Sequence, residues 1–140
     1  MSYGEILRTL YIELTSFYKS RIDLHEASFQ QMIAIIVIPV EGIEMSGISG
    51  KLGIDNSTAT RLIDGLVLKN WVFRNKDEKD KRITTVGLTK EGKKMQILYE
   101  KELDKSGEDI KKIVSYNDRQ QLIEAISRLN WALLKINSIK

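Results

Sequence analysis

A mainly α-helical chain with one small β-hairpin is the fold class that the sequence predicts, and three observations predict it. Apolar residues recur at three- and four-residue spacing near both ends of the 140 residues. Two glycine-punctuated helical stretches lie back to back between Ser46 and Lys69, and a single lysine-rich hairpin pattern follows them. The order helix, turn, helix, basic hairpin marks a candidate DNA-reading module.

Leu7, Leu10, Leu14 and Phe17 form an apolar stripe, so the chain opens on a helix. The strongly apolar run Met32 to Val40 is shorter than a bilayer and is interrupted by Pro39, which argues against a membrane span. Ile48, Ser49 and Leu52 repeat the helical spacing over a short segment, and Gly53 stands where two helices meet at a sharp angle. A second helix starts at Asp55, whose carboxylate suits the free amide protons of a helix start, with Asn56, Ser57 and Thr58 behind it. Its apolar residues Ala59, Leu62, Ile63 and Leu66 share one face. Ser57, Thr58, Thr60, Arg61 and Asp64 fall on the other.

That helix ends near Lys69 and Asn70, asparagine being a frequent substitute for glycine in a left-handed helix-closing position. Trp71, Val72 and Phe73 open a strand, Asn75 to Lys81 is a polar turn, and Ile83 to Leu88 is a second strand rich in β-branched residues. A long helix capped by Thr89 follows to Val114, with Met95, Leu98, Leu103, Ile110 and Ile113 as its apolar positions and Ser106-Gly107 as a candidate bend. Asn117-x-x-Gln120 resembles a capping box before a last helix striped by Leu122, Ile126, Leu129, Leu133 and Ile136.

The charge is local. Residues 69 to 94 carry nine basic side chains against four acidic ones, whereas the first fifty residues carry three against six. The overall balance of +3 is too mild to indicate nucleic acid by itself, but the local excess concentrates counterion-releasing charge on the hairpin. There is no cysteine, which excludes disulfides and thiolate metal sites. One histidine, no phosphate-cradling glycine motif and no metal-ligand spacing leave no enzyme constellation and no cofactor or metal site. Asp104, Glu108 and Asp109 read as solvated surface. His25 has no partner cluster in the sequence and receives no role. Trp71 and Trp131 read as core or interface anchors, and Tyr11, Phe17 and Tyr18 as walls of a small apolar crevice. No leader opens the sequence, so a cytoplasmic protein without membrane contact is expected.

The run Ile48 to Gly92 resembles the winged helix-turn-helix of the MarR family of bacterial and archaeal transcription regulators. Asp80-Lys81-Arg82 matches the family's D-x-R wing, Leu88-Thr89-x-x-Gly92 its lead-in to the next helix, and Lys51 to Asp64 its recognition helix. The resemblance implies a winged helix-turn-helix head over residues 30–90, a linking helix over 89–114, and dimerisation helices from both termini, 1–25 and 115–140. It implies that Asn56, Ser57, Thr58, Thr60 and Arg61, with Lys51, Lys79, Lys81 and Arg82, meet double-stranded DNA, and that Asp64 or Asp80 braces the wing through Arg82. Leu7, Leu10, Leu14, Leu122, Ile126, Leu129, Leu133 and Ile136 would form the homodimer. The expected function is repression of palindromic operators, relieved by a small lipophilic or phenolic effector whose site residues the sequence does not specify. Gly65 replaces a frequent long basic residue, Gly47 and Gly50 soften the preceding helix, Glu78 replaces a common proline, and Asn70 replaces a common glycine. These departures keep open an alternative: a winged helix serving as a protein-interaction or scaffold module without sequence-specific DNA binding.

Overall fold

The computed structural model describes residues 1–139. Its elements are α1 (Tyr3–Arg21), α2 (Phe29–Val37), β1 (Ile43–Glu44), α3 (Met45–Leu52), α4 (Asn56–Leu68), β2 (Val72–Lys76), β3 (Thr84–Leu88), α5 (Lys90–Ile113), a 3-10 turn (Tyr116–Asp118) and α6 (Arg119–Ser138). The chain forms two compact units, residues 1–104 and 105–140. Among the described residues no helix is long and apolar enough to cross a membrane.

The first unit holds the core. Met32, Ala34 and Ile35 of α2, Ile48 of α3, Ile63 and Leu66 of α4, Val72, Val86 and Leu88 of the sheet and Tyr99 of α5 are all buried in one cluster. Two helices there begin with capping boxes. Ser2 and Glu5 satisfy each other's backbone amides at α1, and Ser28 and Gln31 do so at α2. Asn117 does not serve this purpose before α6. The helix is entered through the 3-10 turn, with Asp118 at the cap position making no side-chain bond to the helix. The Ser106-Gly107 step does not interrupt α5.

The sheet has three strands, not the two of a simple hairpin. The order is β1-β3-β2, all antiparallel, with Ile43 opposite Val86, Val72 opposite Leu88 and Lys76 opposite Thr84. β1 is two residues long, too short for a period of two to be read in the sequence.

The joints follow the local chemistry. Gly53 closes α3 in the left-handed conformation at φ +66°, and Asn70 ends α4 at φ 62° with its amide donating to Val67. Thr89 caps α5, its Oγ1 accepting from the Gly92 amide at 3.0 Å while donating to the Asn70 carbonyl at 2.6 Å. This pins the end of β3 to the end of α4. At Gly92 the approach is so close that a Cβ would lie 1.8 Å from the Trp71 carbonyl oxygen, so only glycine fits.

Tyr99 is fully buried and donates its hydroxyl to the Leu24 carbonyl at 2.7 Å. Burial, reinforced by the Glu102 and Asp23 carboxylates, pushes its pKa up to about 12, so the phenol stays a donor at any physiological pH. Tyr11, Phe17 and Tyr18 do not share a crevice. Phe17 and Tyr18 pack together and Tyr18 faces Phe29, whereas Tyr11 is exposed. Trp71 meets the Tyr99 ring edge-on, and Trp131 is exposed.

Asp55 caps α4 by accepting from the Thr58 amide at 2.7 Å and the Ser57 hydroxyl at 2.9 Å. The Thr58 and Ser57 bonds, with Arg61 adding a smaller attraction, lower its pKa from 3.8 to about 2. A depressed carboxylate stabilises the fold while ionised, fully above pH 3.8, and that contribution fades as pH falls through about 2. Asp55→Ala is therefore expected to lower the thermal midpoint at pH 7, with the gap to wild type closing between pH 4 and pH 2, as followed by circular dichroism.

Candidate nucleic-acid interface

The face of α4 that remains open is set by what the other face buries. Ala59, Ile63 and Leu66 lie in the interior. Ser57, Thr60, Arg61 and Asp64 are consequently turned to solvent, as one helical stripe requires. Thr58 is half-buried.

The hydroxyls on this face are partly committed. Ser57 donates to Asp55, and Thr60 Oγ1 donates to the Asn56 carbonyl at 2.9 Å. Both keep lone pairs, so each can still accept from a base amino group. Asn56 is tied back to α3, its Oδ1 lying 2.8 Å from the buried Ser49 hydroxyl. Asn56 thus sets the angle between α3 and α4 as well as standing at the start of the reading face. Arg61 differs from all of these: it is exposed, and no described residue hydrogen-bonds or ion-pairs with its side chain. Its five donors are all free.

The hairpin tip separates its charges. Asp77 Oδ1 accepts from the Lys79 and Asp80 amides at 2.8 and 3.0 Å, folding the turn on itself. Asp80 holds Arg82 with both oxygens, at 3.0 Å to Nε and 3.1 Å to Nη2, and also accepts the Arg82 amide. That bidentate grip lowers the pKa of Asp80 and raises that of Arg82. Two of the tip's acidic groups are consumed inside the turn. Lys76, Lys79 and Lys81 project from it with no side-chain partner among the described residues, and Lys51 at the end of α3 is similarly exposed and unpaired.

Asp64 braces the wing, but through a different arginine from the one the D-x-R pattern suggests. Arg74 of β2 reaches across to Asp64 and also donates to the Thr60 carbonyl at 3.3 Å, whereas Arg82 is held by Asp80. Arg74 is the bracing residue of the candidate surface that the sequence does not reveal. Asp64 is ten residues away in the chain, and only the return of β2 beside α4 brings the pair together.

The glycine substitutions have separate causes. A Cβ at Gly65 would lie 2.7 Å from Gln31 Nε2, so this position faces α2 and not the open side of the helix. A Cβ at Gly47 would meet Ile43 at 2.8 Å, while Gly50 has open space around it.

A sequence profile of the MarR family matches residues 40–84. An uncharacterized HTH-type transcriptional regulator of Bacillus subtilis, YfiV, is 32% identical over 110 residues, covering 77% of this chain and 68% of that protein. A MarR transcriptional regulator from Methanosarcina mazei has the same fold, with a TM-score of 0.76 at 27% identity over 95% of this chain and 96% of that one. So does Streptococcus pneumoniae FabT, whose structure is a complex with DNA, with a TM-score of 0.73 at 21% identity over 95% and 96% of the two chains. The chain belongs to the MarR family of transcriptional regulators.

Proposed function

We propose that this regulator is a homodimer that reads palindromic operators with α4 and the wing, and represses by occupying them. The observation that carries the reading is the sorting of charge on one face. Asp64, Asp77 and Asp80 are spent on bracing, whereas Arg61, Lys51, Lys79 and Lys81 are exposed with no side-chain hydrogen bond or ion pair among the described residues. Phosphates would be the counter-charges, and their condensed cations the species released. Arg61 takes the role of base reader, since a free guanidinium can bridge two acceptors on a guanine edge. Lys79 and Lys81 take the backbone and the minor groove beside it, with Ser57, Thr58, Thr60 and Asn56 around the reading helix. Arg82 reaches this surface only at the cost of its hold on Asp80.

The exposed apolar residues of the terminal helices support the dimeric reading. Neither α1 nor α6 has a buried residue, and Ile126 and Ile136 are 50% and 64% exposed. Leu10, Leu14 and Leu133 are likewise exposed, and Leu7, Leu122 and Leu129 are half-buried. Apolar stripes of this length call for a partner surface, and a second copy related by two-fold symmetry would set two α4 helices against successive half-sites, about 34 Å apart. A small lipophilic or phenolic effector would relieve repression by changing that separation. The scaffold alternative loses one of its supports, because Gly65 serves packing against α2.

Arg61→Ala is expected to cost about 1–3 kcal/mol of operator binding and to relax selectivity at one base position, measured by gel shift on operators selected from random duplexes. Lys81→Gln should weaken binding to all duplexes alike and flatten the dependence of log affinity on log salt by about one unit. Unchanged affinity and salt slope in both variants would falsify the interface. The double variant Ile126→Asp, Leu133→Asp is expected to sediment with the mass of one chain while wild type sediments as two. A monomeric wild type would remove the two-half-site reading.

A further inference from the structure

We propose that Asp23, His25 and Glu102 form a binding site for a first-row divalent transition-metal ion. The inference goes beyond DNA recognition and concerns a different part of the first unit: the loop between α1 and α2, and the facing turn of α5.

One ligand atom from each of the three side chains lies within 4.8 Å of the others. Metal bonds of about 2.0–2.2 Å place ligand atoms roughly 3–4 Å apart, so modest side-chain rotation closes the site. His25 Nε2 is 3.2 Å from Glu102 Oε1, whereas Asp23 Oδ2 lies 3.8 Å from the other ring nitrogen, Nδ1, so an ion held by Nε2 and Glu102 requires the exposed Asp23 side chain to swing toward it.

A second observation points to a missing partner. Glu102 Oε2 is buried and has no hydrogen bond among the described residues. A buried carboxylate oxygen without a donor carries a desolvation cost, which a divalent ion bound by both carboxylates and the imidazole would offset. Two carboxylates alone would suit magnesium or calcium. The imidazole shifts the preference to zinc, manganese, iron or cobalt, with water completing the coordination on the side where Asp23 is 69% exposed.

The loop is held in shape for this. His25 and Glu26 both adopt positive φ, 51° and 67°, a conformation that two successive non-glycine residues keep only when their surroundings impose it. Three bonds impose it: the His25 amide to Asp23 Oδ1 at 2.9 Å, the Tyr99 hydroxyl to the Leu24 carbonyl, and Lys69 Nζ to the Glu26 carbonyl at 3.0 Å. The sequence gives no sign of the site, because Glu102 lies 77 residues from His25 and no ligand spacing links them.

Calorimetric titration of chelator-stripped, full-length protein with zinc chloride is expected to show one saturable site per chain. Glu102→Gln and His25→Gln should each weaken it at least about tenfold, and magnesium chloride should not compete. The single histidine supplies a check that needs no variant. Its imidazole resonances should shift with zinc and broaden with substoichiometric manganese. Resonances that stay unmoved while the protein is titrated, or an affinity equal in both variants, would overturn the proposal and leave the three side chains as a hydrogen-bonded loop clamp. Effective competition by magnesium would overturn the assignment to a transition metal. Neither readout involves DNA, so the outcome is independent of the operator-binding experiments.

Discussion

The direction of the wing relative to α4 is the constraint on which the proposed DNA-reading surface depends, and the Arg74 contacts to α4 hold it. The guanidinium of β2 reaches both the Asp64 carboxylate and the Thr60 carbonyl of the reading helix. Such a partly exposed pair adds little to stability, since screening and side-chain ordering offset most of its attraction. Its effect is orientational. The apolar layer beneath, Ile63 and Leu66 of α4 against Val72 and Val86 of the sheet, supplies the burial that keeps the two elements together.

A second pin lies at the end of the same layer, where β3 meets α5. Thr89 joins the end of β3 to the end of α4 through the Asn70 carbonyl, and the glycine at 92 lets the start of α5 approach Trp71. The helix and hairpin are thereby fixed at mid-sheet by Arg74 and at the end of β3 by Thr89. A cationic surface built this way presents its charges with little reorganisation, which is how a small head of mild net charge can offer a focused field.

Charge segregation at the wing tip follows from the same economy of short polar side chains. Asp77 folds the turn through backbone amides, and Asp80 holds Arg82, so neither of these two aspartates forms an ion pair with the neighbouring lysines. A count of charges along residues 69–94 treats each acid as cancelling a base. The folded turn does not pair them that way, because Asp77 is engaged by backbone amides and Asp80 by Arg82, while Lys76, Lys79 and Lys81 stay exposed.

The sequence by itself determined the helical elements whose signals are local: the Asp55 cap, the left-handed Asn70, the Gly53 turn, the Thr89 cap and the apolar face of α4. Each depends on residues within a few positions, so the chain chemistry suffices. It also placed the exposed Arg61 and wing lysines, because a helix with one buried face must turn the other outward. The capping-box spacing at Asn117 does not cap α6, whereas the same local pattern at Ser2-x-x-Glu5 and Ser28-x-x-Gln31 caps α1 and α2. Only the tertiary structure decided the third strand, the Arg74 brace, the packing role of Gly65 and the meeting of His25 with Glu102. All four arise from segments far apart in the chain or too short for periodicity, and their partners are fixed by how the core closes, not by any spacing that a linear reading contains.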